Sequence, residues 1–285
     1  GLACLAGARR TDSLFDRYRT AARVSHLEID PGGPTPEADA ALRSMPEVSA
    51  AAYWATVSVF ALDDAGQPPP PESRPLAITT DGRFLEQDRA ALVAGRFLVP
   101  TDPTEVMVNR AYVEAVGAKV GDRLDLAVIP SDENGQPDME TGPVERGPAR
   151  IVGVMTTPTE HFGAALDRVP MMLVSPAFSD LLSGADPRYV GFAWYGLRLH
   201  GGDRAVTKVV ARWQALGDQH NEAGNGDPSQ EWLAFVRRTS DLATIAERGS
   251  RPMVVALAAF GAIAFLGAGA VIAQTLVRVV RAQRE

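Results

Sequence analysis

VGFAWYGLRL, residues Val190 to Leu199, decides the fold of this chain. Its β-branched and aromatic residues predict a strand, and Gly201-Gly202-Asp203 predicts a turn with a helix cap. The apolar residues after this turn recur at the spacing of one helix face: Val206, Val209, Val210, Trp213 and Leu216. Asn221 to Pro228 predicts a loop, and Trp232 to Val236 predicts a closing strand. The segment therefore predicts one βαβ unit.

A second βαβ unit is predicted near the start of the chain. Val24 to Ile29 predicts its first strand, and Thr35-Pro36-Glu37 supplies a helix cap, a proline at the first helical position and an acid in the first turn. The apolar residues of the predicted helix are Ala38, Ala41, Leu42 and Met45. Val48 to Leu62 predicts the second strand. The two units flank a central insertion and are expected to share one sheet, with their helices on one face.

The insertion, about residues 95–176, is predicted to be mostly β. Strands are predicted around it and within it at Leu76 to Thr80, Glu105 to Val108, Arg123 to Ile129, Ala149 to Met155 and Met171 to Val174. Asn109 is predicted to cap a short helix, Ala111 to Val116, which Gly117 ends in the left-handed conformation. The polar stretch Pro130 to Pro148 predicts the exposed tip of a hairpin.

A membrane span is predicted at Pro252 to Ala273, which carries no charge. A helix of about 20 residues crosses a hydrocarbon core of roughly 30 Å. A core helix of a soluble domain is the alternative, but it would show a polar stripe. Small residues favour a bundled span over a lone anchor: Ala258, Gly261, Ala262, Gly267, Gly269 and Ala273. From Thr239 or Ser240, a candidate cap, a helix is expected to run through Arg251 into this span.

The start of the chain predicts the tail of an earlier span. Gly1 to Ala8 is apolar and precedes Arg9-Arg10, whereas a signal peptide has its basic residues first. The chain lacks an initiator Met and is expected to be a piece of a longer protein. A lipoprotein anchor at Cys4 is the alternative. Thr11 to Arg251 would then be a loop of about 240 residues, which is long enough to be a folded domain.

Composition limits the classes of partner. The net charge of -7 and the pI near 5.2 argue against a nucleic-acid partner. Cys4 is the only cysteine, so the chain forms no internal disulfide. The arginines beside the two predicted spans give only a weak orientation bias, and long domains cross the membrane largely regardless of charge.

The sequence offers no catalytic, cofactor or metal motif. The phosphate-loop pattern GxxxxGK[ST] is missing, because Gly117 to Gly121 lacks its spacing. The histidines are scattered without the spacing of paired ligands: His26, His161, His200 and His220. Glu160-His161 would need distant partners to hold a metal. We therefore expect no catalytic residue, no cofactor and no metal.

Four acids and four tryptophans complete the candidates. The acids could be taken for paired carboxylates, but turn and strand-edge positions are the favoured interpretation: Asp102, Glu105, Asp122 and Asp125. The tryptophans are expected in the core: Trp54, Trp194, Trp213 and Trp232. Trp232, beside the polar loop, is the best candidate for an exposed binding aromatic.

The chain resembles the FtsX-type permease family, of actinobacterial type, with a MacB-like periplasmic core domain. The main resemblance lies in AGRFLVPTDPTEVMVNRAYVEAVGAKVGDRLDL, Ala94 to Leu126. Further pieces are RIVGV at Arg150 to Val154, LVSPAF at Leu173 to Phe178, and LRLHGGDRAVTKVVARW at Leu197 to Trp213. Segments Gly7 to Asp12 and Glu247 to Leu257 resemble the flanks of the family's first two spans. The resemblance implies a permease subunit of an ABC-type transporter that couples ATP hydrolysis in a partner to movement outside the membrane.

This resemblance and the pattern together predict an α+β extracytoplasmic domain attached to transmembrane helices. Two βαβ halves form a porter-like lobe at residues 11–94 and 189–238, and a β-rich lobe is inserted at 95–176. The remaining expected parts are the tail of a first span at 1–10, a stalk helix at 239–251, a second span at 252–277 and a cytoplasmic flank at 278–285. Expected partners are a cytoplasmic ABC ATPase, the lipid bilayer, a second permease copy or homologous half, and an extracytoplasmic protein.

Two other function classes stay open at this point. One is a membrane-tethered regulatory domain that recruits an envelope hydrolase, and the other is the sensor ectodomain of a kinase. The sequence downstream of Glu285 would discriminate them, because further spans indicate a permease and a helical phosphotransfer domain indicates a sensor.

Overall fold

The computed structural model describes residues 14–32, 35–70, 74–130, 138, 140–141, 145–157, 169–178, 190–223, 232 and 235–241, with 252, 255–256, 259–268, 270 and 272–274 near the C-terminus. The chain divides into two compact units. The main unit is Ala22–Asp241, and the terminal unit combines Gly1–Ala21 with Leu242–Glu285.

Within the described residues the strands are β1 (Leu27–Asp30), β2 (Val48–Val57), β3 (Val59–Ala61), β4 (Leu76–Thr80), β5 (Ala91–Gly95), β6 (Glu105–Asn109), β7 (Arg123–Val128), β8 (Glu145–Thr156), β9 (Met171–Val174), β10 (Val190–Leu199) and β11 (Phe235–Arg238). The helices are α1 (Leu14–Ala21), α2 (Pro36–Arg43), α3 (Arg110–Val116) and α4 (Val206–Ala223). The mixed α/β architecture that the sequence predicted is therefore present.

Four strands in the order β11-β1-β10-β2 form one end of the sheet. Every neighbouring pair among them is antiparallel, so β1 runs parallel to β2, and β10 runs parallel to β11. Helix α2 connects β1 to β2, and α4 connects β10 to β11. The result is a split βαβ arrangement, in which each unit places its two strands around a strand of the other.

Both helices pack on one face of these four strands. Thr35 caps α2, because its Oγ1 accepts a hydrogen bond of 3.2 Å from the Ala38 backbone. The buried apolar side chains between helices and strands form one cluster: Leu27, Ile29, Ala38, Leu42, Tyr195, Leu197, Val206, Val209 and Trp213. Each large side chain of this kind contributes about 1.5–3 kcal/mol on burial. This face is therefore core, and function must be sought on the opposite face or at the edges.

The strands of the predicted insertion continue the same sheet. The order runs on from β2 through β4, β9, β6, β8, β7 and β3, and β5 pairs with β8 beside this path. Strands β7 and β8 pair antiparallel, as the predicted hairpin requires. Most of its predicted tip, Pro130 to Pro148, lies outside the described residues. Asn109 caps α3 and Gly117 has a φ of 73°, so both predictions at that helix are confirmed.

Three predicted strands need correction. Val48 to Leu62 is two strands, because β2 pairs with β10 and β4 while β3 turns away to pair with β7. The closing strand is Phe235–Arg238, since its register is set by β1, with Phe235 opposite Asp30. Strand β5 has no counterpart among the predictions; all of its residues are exposed, so it lacks the alternation that marks a half-buried strand.

The terminal unit is described only in part. Residues 239–241 and 259–268 are helical. No helix among the described residues has the length and apolar character needed to cross a membrane. The predicted first span at 1–10, most of the stalk at 239–251, parts of the predicted span at 252–277 and the flank at 278–285 lie outside the described residues.

Candidate functional site

Both points where the chain enters and leaves the main unit lead into neighbouring strands. Residue 22 precedes β1 closely and residue 241 comes soon after β11, and these two strands pair with Leu27 opposite Arg238. The pairing extends past the strands, because the Thr239 backbone donates to the His26 carbonyl at 3.2 Å. The His26 ring joins this to the next strand, since its Nδ1 accepts from the Leu199 backbone at 3.0 Å.

A buried charge pair lies directly behind this junction. Glu28 on β1 faces Arg237 on β11 in register, and its Oε2 accepts hydrogen bonds from that guanidinium. Its Oε1 accepts from Arg83, whose side chain is 2% exposed. The Arg83 guanidinium also donates to the Trp194 carbonyl of β10 at 2.9 Å. Glu28 thus connects the entering strand, the leaving strand and the strand beside them.

The loop of residues 81–90 supplies the rest of this site. Asp88 accepts from Arg83 Nε at 3.1 Å, from the Ser25 backbone at 2.7 Å and from Ser25 Oγ at 2.5 Å. Gln87 Nε2 donates to Ser25 Oγ at 2.9 Å and to the Gly196 carbonyl at 2.7 Å. The six side chains are called the junction cluster below: Ser25, Glu28, Arg83, Gln87, Asp88 and Arg237.

Gly196 makes room for the junction cluster. A Cβ at this position of β10 would lie 2.4 Å from Ser25 Oγ and 2.7 Å from Asp88 Oδ2. Real Cβ contacts are essentially never that short. The glycine is therefore required by the close approach of the 81–90 loop to the sheet, and not by its backbone angles.

Backbone strain is concentrated around the same loop. Among the described residues, the non-glycine positions with positive φ are Arg23 at 51°, Phe84 at 69° and Asp88 at 47°. Such conformations cost roughly 1–2 kcal/mol each. They persist because the two segments hold each other: the Asp88 backbone donates to the Arg23 carbonyl at 3.3 Å, and the Arg89 backbone donates to the Ala22 carbonyl at 2.8 Å. Strain of this kind is typical of functional positions.

The electrostatics of the junction cluster balance. Two carboxylates, Glu28 and Asp88, meet two guanidinium groups, Arg83 and Arg237. Burial lowers the pKa of Arg83, and the charge of Asp88 opposes that shift. Burial also lowers the pKa of Arg237. Because the ordinary arginine pKa is above about 12, both groups remain charged near neutral pH. The cluster is stable only while all its members stay together, since a buried charge that loses its partner is costly.

The four candidate acids have local structural partners. Asp102 accepts from Thr104 Oγ1 at 2.7 Å, and this hydrogen bond lowers its pKa. Glu105 accepts from Arg96 and from the Val99 backbone, and the Arg96 hydrogen bond lowers its pKa. Asp122 accepts from the Lys119 backbone at 2.8 Å. Asp125 lies exposed on β7. The structure does not bring these acids together as a catalytic pair, and it places them at the turns and strand edges that the sequence favoured.

The tryptophans are mainly packing residues. Trp54 and Trp213 are buried, and Trp194 is half-buried beneath the Arg237 guanidinium at 5.1 Å. Trp232 stacks on Trp213 with ring centroids 4.8 Å apart. His220 lies on the Trp232 ring at 4.3 Å. Trp232, predicted as the exposed binding aromatic, is therefore a half-buried member of a stack that anchors the end of α4.

Ligand sets for a metal do not occur among the residues that the structure describes. Glu160 and His161 lie outside those residues. Sequence reasoning missed the junction cluster entirely. The only signal was the charge in LEID, Leu27 to Asp30, and in GRFLEQDRA, Gly82 to Ala90, which alternation alone assigns to solvent.

Comparison with solved structures finds domains of permeases. The periplasmic region of MacB from Actinobacillus actinomycetemcomitans matches with a TM-score of 0.45 and 10% identity, over 79% of this chain and 94% of that one. A domain of a candidate permease protein from Porphyromonas gingivalis matches with a TM-score of 0.39 and 13% identity, over 76% of this chain and 88% of that one. No family model and no curated protein matches the chain. Both structures are of the kind that the sequence resemblance names.

Proposed function

We propose that this chain belongs to a permease subunit of an ABC-type transporter, and that its main unit is an extracytoplasmic domain that moves when a partner ATPase hydrolyses ATP. The observation that carries the proposal is the junction cluster, which ties both chain crossings to the centre of the sheet. The sequence resemblance to FtsX-type permeases with a MacB-like core domain supports the same assignment.

The junction cluster suits a part that transmits movement. A displacement of the segment before β1 or after β11 acts on Glu28 or on its register partner Arg237. Glu28 passes it to Arg83, which is bonded to the β10 backbone. Separating these groups would leave unpaired charge in a buried site, at a cost of about 3–5 kcal/mol. The entering and leaving strands therefore move as one body with the sheet.

The proposed organisation keeps the expected boundaries. Residues 1–10 and 252–277 are proposed to be membrane spans, 239–251 a stalk, and 278–285 a cytoplasmic flank. The porter-like lobe is assigned to 11–94 and 189–238, with the inserted lobe at 95–176. The partners in this proposal are the ATPase, the lipid bilayer and a second permease copy or homologous half.

We expect the main unit to be accessible from outside the cell. Ala115 on α3 is exposed, so Ala115→Cys in a Cys4→Ser background should react with an impermeant maleimide in intact cells. Ala127→Cys is the matched control, because Ala127 is fully buried and its thiol should react only after denaturation. Labelling of Ala115→Cys only after cell lysis would place the main unit inside and contradict the proposal.

The transmission itself is tested in the assembled transporter with Arg237→Gln. This change removes one side of the β1 to β11 link but leaves Glu28 paired with Arg83, so the fold should survive. With an environment-sensitive dye at residue 115, the ATP-dependent fluorescence change should fall at least threefold, while hydrolysis by the partner continues; that loss corresponds to about 0.65 kcal/mol of coupling.

Arg212→Gln is the control for the transmission test. Arg212 is also an arginine of the main unit, but it lies on α4, is 39% exposed, and contacts Glu47 at 3.5 Å beside Lys208. Its dye response should equal that of the unchanged protein. A full response from Arg237→Gln would show that the junction cluster carries no movement.

A further inference from the structure

A buried acid lies among aromatic side chains on the sheet face opposite the helices. Asp30 ends β1 and is in register with Phe235 of β11. Ile29 faces Tyr195, so Asp30 is next to Trp194 along the neighbouring strand. Phe192 lies further along β10 and packs edge-on against Trp54, with ring centroids 5.6 Å apart. We call Asp30, Phe192, Trp194 and Phe235 the acid–aromatic patch.

The aromatic members of the patch are unusually open to solvent. Phe235 is 61% exposed and Phe192 is 43% exposed. Large aromatic side chains are enriched at protein interfaces and rarely stay in water without a reason. The patch lies at the ends of β1, β10 and β11 that are remote from residues 22 and 241. It is therefore separate from the junction cluster, at the other end of the same strands.

Asp30 differs from Glu28, two residues earlier, in its partners. Glu28 meets two guanidinium groups. Asp30 is only 8% exposed and accepts one hydrogen bond, from the Gly32 backbone at 2.8 Å. Among the residues that the structure describes, it forms no ion pair. Burial raises the pKa of Asp30, and the Gly32 hydrogen bond opposes that shift. Arg237 lies over the nearby Trp194 ring, but its charge is matched by Glu28.

We propose that the acid–aromatic patch binds a segment of another protein that presents a basic side chain next to an apolar one. The apolar side chain would cover Phe192 or Phe235, and the basic group would pair with Asp30. Folding has already removed most water from this carboxylate, so a partner's cation gains the attraction without a further large desolvation cost on this side. The chain is also acidic overall, at -7, which favours a basic partner. This surface stands independently of the transporter proposal.

The test uses the full chain in detergent and three capped pentapeptides, acetyl-GLRLG-amide, acetyl-GLELG-amide and acetyl-GSRSG-amide. Binding is measured by the NMR shift of the Trp194 indole, assigned with Trp194→Phe. The basic apolar peptide should shift this resonance saturably below about 10 mM. The acidic peptide and the serine peptide should bind at least about tenfold more weakly, because each lacks one of the two required groups.

Asp30→Asn is the decisive variant. Asn retains an oxygen that accepts from Gly32, and it removes a desolvated charge, so its melting temperature should be unchanged or higher. Its affinity for the basic apolar peptide should fall at least about fivefold. Asp64→Asn is the matched control, because Asp64 lies exposed in a turn outside the patch, and its affinity should be unchanged.

Three outcomes would overturn the proposal. The first is equal binding of the acidic and basic peptides, which would indicate apolar adhesion without recognition of charge. The second is undiminished binding by Asp30→Asn. The third is the absence of any peptide response together with a Trp194 shift on addition of phosphatidylcholine vesicles, which would identify the patch as a membrane contact.

Discussion

Replacing Arg83 by Met should lower the free energy of unfolding of the main unit by about 3–5 kcal/mol. Arg83 is the residue that neutralises Asp88 and shares Glu28, and its side chain is 2% exposed. Its removal leaves Asp88 without a cation and the Trp194 carbonyl without its donor. Urea unfolding monitored by tryptophan fluorescence measures the change.

Lys208→Met is the control for this experiment. Lys208 pairs with Glu47 at 2.8 Å but is 68% exposed, so its loss should cost no more than about 1 kcal/mol. Arg83→Lys should not restore stability, because an ammonium group cannot reproduce the planar fork that reaches Glu28, Asp88 and Trp194. If Arg83→Met were as mild as Lys208→Met, the junction cluster would not hold the strands together.

Asn109→Ala should be nearly as damaging, with a loss of about 2–4 kcal/mol. Asn109 is fully buried, and its Oδ1 accepts from the backbone of Tyr112 at 2.9 Å and of Met171 at 2.9 Å. Its Nδ2 donates to the Val169 carbonyl at 2.9 Å. One side chain thus caps α3 and fixes the start of β9.

Thr35→Ala separates the two roles of Asn109. Thr35 also caps a helix through one hydrogen bond, to Ala38, but it is exposed and water can replace it. Its loss should cost about 1 kcal/mol by the same unfolding assay. Equal losses from Thr35→Ala and Asn109→Ala would show that the link from Asn109 to β9 contributes nothing.

The parts of the fold that depend on local sequence could be predicted well. Leu76–Thr80, Met171–Val174 and Val190–Leu199 have the predicted bounds, because each is an apolar run closed by turn residues. The caps of α2 and α3 were also visible, since a capping side chain lies within three residues of the amide that it satisfies.

The junction cluster could not be predicted, because it depends on three distant segments. Glu28 looks like the outward residue of an alternating strand, and only the 81–90 loop buries it. Its pairing with Arg237 requires the register of β1 and β11, which are joined through the whole length of the main unit. Trp232 was misjudged for a similar reason, since its stacking on Trp213 is a long-range contact.

The split βαβ arrangement also constrains how the protein is made. β10 lies between β1 and β2, yet it is synthesised only after β3 to β9. Until then β1 and β2 have no strand to join them, and their apolar faces have no complete sheet to cover. Such non-local pairing slows folding and leaves strand edges open during synthesis. The nascent chain should therefore depend on chaperones until Val190–Leu199 emerges, and ribosome-bound chains that stop before that strand should remain sensitive to protease.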